Sequence, residues 1–300
     1  MTPPDSPPSP VFVGGTGRSG TTIVGQMIGH AAPYALVPTE IRCHTGGWIN
    51  SRRGRRGVGG LADLALGQTT FDDFQASVRE RWFYRKPKAK GRQGLHAIIT
   101  REALDEALER LRAAHEQDPW QAAGDFLREI LGQFATQAGK QTWVEMTPAT
   151  ARRMNALTRM LPEAKFIHMV RDGRDVAASV ILQSWGPKNF PAALNWWSNE
   201  LIDIEQARAE VAGERVLTMR LESLVGPTRE DAYARLSDFL SLSSDTSMRT
   251  FFDTEISARG ARADRWSASL EPAQVAEYQE LYDNHLRRMK DSGAELAEPR

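Results

Sequence analysis

The chain has a single cysteine, Cys43, among its 300 residues, so no internal disulfide can form and a disulfide-stapled scaffold is excluded. Nor does it hold an apolar run near the roughly 18–20 residues needed to cross a bilayer. It carries no excess of charge either: Lys+Arg and Asp+Glu both number 38. Net charge therefore favours neither nucleic acid nor a membrane surface, and any polarity must be local. The opening stretch MTPPDSPPSP lacks the basic start and apolar segment of a signal peptide. Its prolines deny helix and central strand alike, which predicts a disordered leader over residues 1–10 and a cytoplasmic address. No His, Cys and carboxylate residues cluster in a way that suggests a metal site, and no segment repeats. What remains is ample for a core. With 41% hydrophobic residues, 11–300 reads as one domain.

Val11-Phe12-Val13, ending in Gly14-Gly15, predicts a buried first strand, and the apolar spacing of Ile23, Val24, Met27 and Ile28 predicts a helix over 19–29. A second strand is expected near Tyr34 to Val37, and others over Thr142–Val144, Lys165–Val170 and Arg215–Leu221. Two amphipathic helices present Leu104, Leu108 and Leu111, then Phe126, Leu127, Ile130, Leu131 and Phe134. More helices are expected over Met154–Leu161, Asp175–Leu182, Leu194–Val211, Ala232–Leu240 and Pro272–Met289. Such alternation implies an α/β fold, a P-loop-like doubly wound parallel sheet flanked by helices. From about His44 to Gly94 glycine, arginine and lysine dominate, which reads as a basic lid inserted into the domain rather than as core. Its cations from Arg79 to Arg92, interleaved with Trp82, Phe83 and Tyr84, suit either a solvated face or a clamp for an anionic or aromatic acceptor.

Two segments carry chemistry. Gly14-Gly15-Thr16-Gly17-Arg18-Ser19-Gly20-Thr21-Thr22 lies between a predicted strand and a predicted helix. Glycines allow a tight turn there, and free N–H groups at a helix start cradle a phosphate. A Walker A loop needs a lysine where this chain has Thr21, and a cation appears instead at Arg18. That argues against an ATPase and for a nucleotide with a single 5′-phosphate carrying another group. The second segment runs from Phe166 to Ser179. Arg171 falls at the carboxyl end of its strand, where open α/β sheets bind ligands, and Ser179 follows in the next helix. A guanidinium and a hydroxyl converging at that edge suit a phosphate monoester.

Arg18-Ser19-Gly20-Thr21-Thr22 resembles the 5′-phosphosulfate loop of the sulfotransferases that use 3′-phosphoadenosine 5′-phosphosulfate (PAPS). The surrounding VFVGGTGRSGTT is especially similar to tyrosylprotein sulfotransferases and their bacterial relatives. Arg171 with Ser179 is similar to the same superfamily's 3′-phosphate signature, and 218–225 looks like one of its structural strands. Arg259-Gly260 with Asp264-Arg265-Trp266 loosely resembles the late segment that closes over the nucleotide. The resemblance implies sulfuryl transfer from PAPS to an acceptor hydroxyl without a metal, with Arg18, Ser19, Gly20, Thr21, Thr22, Arg171, Ser179, Arg259, Gly260 and Arg265 on the nucleotide.

Sulfuryl transfer needs a base, charge stabilisation and room for the leaving phosphate. Glu40 is the candidate base and Arg18 the candidate charge stabiliser. Glu40 lies just beyond the second strand, and Thr39-Glu40-Ile41-Arg42 resembles the segment whose glutamate is the base in tyrosylprotein sulfotransferases. Pairing of Glu40 with Arg42 at the surface is the plainer reading. His44 and His96 are rival bases, and Arg42 and His44 are candidate acceptor contacts. Many bacterial relatives carry a lysine where this chain has Met146, in Glu145-Met146-Thr147-Pro148. A P-loop nucleotide or small-molecule kinase is the alternative enzyme, disfavoured by Thr21. A nucleic-acid-binding module using the basic stretches is a third reading, marked by strongly salt-dependent binding.

Overall fold

The computed structural model describes residues 7–51, 54–85, 93–261, 265–268 and 270–294. Seven strands are present among these: β1 (Val11–Gly15), β2 (Tyr34–Leu36), β3 (Gly47–Ser51), β4 (Gly54–Val58), β5 (Thr142–Glu145), β6 (Lys165–Val170) and β7 (Val216–Arg220). The α-helices are α1 (Thr21–His30), α2 (Leu61–Ala65), α3 (Phe71–Ser77), α4 (Arg101–His115), α5 (Pro119–Gln137), α6 (Met154–Met160) and α7 (Gly173–Val180). They continue with α8 (Phe190–Ala209), α9 (Leu221–Val225), α10 (Arg229–Leu240), α11 (Thr246–Glu255), α12 (Ala258–Ala261) and α13 (Pro272–Asp291).

Five strands form one parallel sheet in the order β2-β5-β1-β6-β7. Alternating residues send the strands' side chains to opposite faces. Val11 and Val13 of β1, with Ile167 and Met169 of β6, pack under α1, α10 and α11. Phe12 and Phe166 point the other way, stacked with ring centroids 5.9 Å apart, toward the layer that includes α5, α6, α8 and α13. The chain leaving β1 turns toward β2, and the chain leaving β6 turns toward β7. The crevice between those diverging connections is where an open α/β sheet binds ligands.

The expected strands and long helices are all present to within a few residues. The reading of 44–94 as lid rather than core is corrected over part of its length. Leu61, Leu64, Phe74, Val78 and Trp82 are buried and belong to the main core together with Leu95. Their apolar spacing is helical, but glycine and arginine on either side mask it. β3 and β4 pair as an antiparallel hairpin apart from the main sheet. Arg52 and Arg53, and Lys86 to Arg92 of the second basic stretch, lie outside the described residues. So do residues 1–6 of the expected leader. The end of that leader is tied to the sheet: Ser9 O accepts from the Tyr34 hydroxyl at 3.2 Å and Pro10 O from Lys165 N at 2.9 Å.

Candidate active site

The phosphate loop takes its shape from two glycines. A side chain at Gly15 would place a Cβ 2.3 Å from the Met169 carbonyl oxygen, so only glycine lets β1 turn away beside β6. Gly20, at φ 94°, caps α1 in the left-handed region and offers no side chain to its N–H groups. The first turn of α1 therefore keeps its donors for a ligand at the positive end of the helix dipole. Thr21 and Thr22 line the cleft above it. The Ser19 hydroxyl is turned inward and donates to Thr16 O at 2.7 Å, which leaves only its main chain for a ligand.

The second segment is latched to this loop. Asp172 caps α7, accepting from Arg174 N at 2.8 Å, and grips the Arg174 guanidinium with the same carboxylate. That guanidinium sits over the Trp266 and Tyr282 rings, 5.1 and 4.6 Å from their centroids. Arg171 donates through Nη1 to Arg18 O at 3.2 Å and lies 3.5 Å from the Asp175 carboxylate. Arg18 donates through Nε to the Ser179 hydroxyl at 2.9 Å. Residues far apart in sequence thus share one edge of the sheet. Arg265 lines the cleft and donates its backbone N–H to Asp175 at 3.1 Å; Gly260 lines it as well. Arg259 is exposed on α12 and is not brought to the cleft wall, and Asp264 lies outside the described residues.

Across the cleft, Glu40 follows β2 on a loop bracketed by residues of other elements. Its carboxylate accepts two bonds from Arg42, so the surface pair weighed above is present, with both groups facing the cleft. Arg85 Nη1 donates to Glu40 O at 3.2 Å. Burial and the neighbouring Arg42 charge push the Arg85 pKa below its ordinary value. Arg42 holds a left-handed φ of 56°, with its carbonyl accepting from Gly46 N at 2.9 Å and Thr45 N at 3.2 Å. Such a backbone costs about 1–3 kcal/mol and persists only where its surroundings impose it.

His44 is a correction. Its ring is fully buried, bonded to the Thr150 hydroxyl at 2.9 Å, and burial pushes its pKa down to about 3. It is out of reach of an acceptor and serves neither as surface base nor as acceptor contact. His96 binds Phe83 O at 2.9 Å and does not line the cleft. Cys43 is buried, and burial pushes its thiol pKa up.

Sequence reasoning named Glu145 only as the neighbour of Met146 and gave it no role. Its carboxylate is fully buried at the end of β5, and desolvation pushes its pKa up to about 7. Nothing in the spacing marked it, because its partners are set by tertiary contact. Met146 beside it packs on Gly25 of α1 and lines the cleft. Also unforeseen were Trp185, whose ring lies over Gly17 and edge-on to Trp196, and the Arg152–Glu200 ion pair at 2.9 Å. All four residues line the same cleft, whose volume is about 2160 Å³. That exceeds the roughly 300–1,000 Å³ of a single-ligand pocket and leaves room for two reactants. Among the described residues no cluster of His, Cys, Asp and Glu has the arrangement of a metal site.

A sequence model of the Sulfotransferase family matches residues 10–247. Among solved structures, the chain is similar to the sulfotransferase domain of an olefin synthase from Synechococcus PCC 7002, at 17% identity. That match covers 95% of this chain and 97% of the other with a TM-score of 0.50, a likeness of fold. A sulfotransferase of Mycobacterium tuberculosis H37Rv matches at 15% identity, covering 93% and 77% of the two chains, with a TM-score of 0.47. A mouse sulfotransferase solved with PAP matches at 12% identity over 96% and 88%, with a TM-score of 0.40.

Proposed function

This chain belongs to the sulfotransferase family, and from that premise we propose that it moves the sulfuryl group of PAPS to a hydroxyl of an acceptor held in the same cleft. The observation that carries the reading is the latch between the two anion-binding segments, Arg18 to Ser179 and Arg171 to the Arg18 carbonyl. A nucleotide with phosphates at both its 5′ and 3′ ends needs two such sites on one sheet edge. A nucleoside triphosphate needs one site and a lysine, and Thr21 stands in the lysine's place. The kinase reading is not favoured.

In this reading the 5′-phosphosulfate rests on the main chain of 16–22, and Arg171 and Ser179 hold the 3′-phosphate. Gly260 and Arg265 border the nucleotide from the far side. Glu40, oriented by Arg42, takes the proton of the acceptor hydroxyl. The acceptor oxygen bonds to sulfur as the bond from sulfur to the 5′-phosphate oxygen breaks. The electron pair of that bond leaves with the phosphate, and Arg18 faces the charge that develops. The acceptor is a small molecule, a sugar or another hydroxyl compound, with Arg42 at its edge.

Calorimetry tests the nucleotide assignment. The desulfated product, 3′,5′-adenosine bisphosphate, is expected to bind far more tightly than 5′-AMP. Arg171→Ala should cost about 1.5–3 kcal/mol of that affinity, the range for hydrogen bonds to charged groups. Equal affinities for the two nucleotides would overturn the reading.

A further inference from the structure

Behind the acceptor side of the cleft lies a second carboxylate that the reaction above does not use. Glu145 has no exposed surface, and among the described residues the only basic side chain within 4 Å of it is the His44 ring, at 3.5 Å, which burial keeps uncharged. Placing a carboxylate there is costly unless hydrogen bonds compensate it. Its bonds fall in two groups. Thr147 N at 2.9 Å, the Thr147 hydroxyl and the Thr150 hydroxyl at 3.4 Å come from its own segment. Ile41 N, at 3.4 Å, comes from the residue next to Glu40. The Thr150 hydroxyl also bonds the His44 ring, so the cluster grips the loop at residues 41 and 44. Those two positions bracket Arg42, the residue that holds Glu40 and carries the left-handed φ. The backbone bond from Val37 N to Val144 O ends the pairing of this segment with β5, and the Glu145 side chain supplies the next tether.

We propose that Glu145 is a positioning residue: its buried carboxylate ties the Glu40–Arg42 turn to the end of β5 and so fixes where the base stands over the phosphate loop. The inference rests on the reading of Glu40 as base. A carboxylate suits the role because all four partners present hydrogens to it, and its ionised form, which predominates above about pH 7, has acceptor positions for each. Glutamine has the same shape but one donor nitrogen. Whichever way its amide turns, either Ile41 N or Thr147 N faces that nitrogen and loses its acceptor.

The test follows release of 3′,5′-adenosine bisphosphate from PAPS with water as the acceptor, which needs no knowledge of the natural one. Glu145→Gln is expected to lower kcat at least tenfold while nucleotide affinity stays within twofold. In a Glu40→Gln background the same change should cost nothing further, because a residue acting through Glu40 has nothing left to act on. A purely structural role would lower activity in both backgrounds alike, and that result would overturn the inference. Unchanged kcat in Glu145→Gln, or a parallel loss of nucleotide affinity, would do so as well. Should Glu145→Gln fail to fold, Thr150→Ala removes one arm of the cluster and keeps the carboxylate. It should give a smaller loss of kcat that likewise vanishes in Glu40→Gln; a loss that persists there counts against the tether. Near-normal turnover in Glu40→Gln alone strikes the reading of the base itself. Loss there with normal Glu145→Gln strikes only the tether.

Discussion

The two sides of the cleft are built by different means. On the nucleotide side, two strand–loop–helix units lie next to each other and latch through four residues, Arg18, Arg171, Asp175 and Ser179. Each unit is contiguous in sequence and turns on local geometry: a glycine bend, a helix start, a capping aspartate. On the acceptor side, no single segment is complete. Glu40 depends on Arg42, Arg85 and, through Ile41, on Glu145 from another strand. The first side is assembled by β1 and β6 pairing; the second needs several loops to arrive together. The contrast suggests a fixed floor for the shared nucleotide and a wall whose parts can vary with the acceptor.

The sharpest way to separate the sides is to disable one at a time. Glu40→Gln should lower turnover on the order of 10²–10⁴-fold, as loss of a general base does, with 3′,5′-adenosine bisphosphate binding unchanged. Kinetics beside calorimetry on one preparation reads both quantities. Parallel losses would show that the two sides are not independent.

Arg18 tests the boundary between them, since it touches Ser179, lines the cleft and is the proposed charge stabiliser. Arg18→Ala should cost about 3–4 kcal/mol of transition-state stabilisation, by analogy with single-donor deletions in oxyanion holes. Met146 lines the cleft and packs on Gly25 of α1, at the position where the sequence resemblance implies a lysine. Met146→Lys should partly rescue Arg18→Ala, and the two changes should be non-additive in turnover. If Met146→Lys alters neither background, residue 146 does not face the transferring group.

The smallest effect concerns pH and stability. His168, on β6 of the nucleotide side, is buried with neither ring nitrogen hydrogen-bonded among the described residues and the Glu205 carboxylate 3.6 Å away, and burial pushes its pKa down to about 3. His44 on the acceptor side is pushed down to about 3 too. For each, the unfolded chain binds the extra proton between about pH 3 and 6.5, so stability is lost as pH falls through that window. Glu145 has the opposite sign. Its folded pKa of about 7 lies above its ordinary value of 4.5, so its contribution falls as pH rises through that interval. On the acceptor side the two contributions oppose each other between pH 4.5 and 6.5, and the raised Glu222 opposes the lowered His285, so the His168 contribution, up to about 1.4 kcal/mol per pH unit, is expected to show there. Urea unfolding across that range should show stability rising with pH, and His168→Leu should flatten it. A slope unchanged in the variant would remove this account.

The same contrast governs what the sequence could reveal. The phosphate loop and the Arg171–Ser179 segment were legible because their geometry is written in neighbouring residues, and the strands because their apolar runs are short and uninterrupted. The core role of 61–82 was hidden: its helices are short, and basic, glycine-rich neighbours dominate the composition. α11 was not foreseen, its apolar residues being only Met248, Phe251 and Phe252 among polar ones. Glu145 and His44 lie at opposite ends of a long-range contact, and one-dimensional spacing carries no trace of it. A buried histidine and a surface histidine read alike until the fold surrounds one of them.

The strand order has a consequence for the making of the protein. β1 is the middle strand of the sheet, yet its neighbours β5 and β6 begin only at Thr142 and Lys165, so it leaves the ribosome well before either. At about 5–20 residues per second, the gap from β1 to β5 corresponds to a wait of roughly 6–25 s. Through that interval Val11-Phe12-Val13 has both edges unpaired. Chaperone occupancy on stalled nascent chains should therefore be highest before β5 emerges and drop once β6 is outside the tunnel, the moment at which the phosphate loop first acquires a shape.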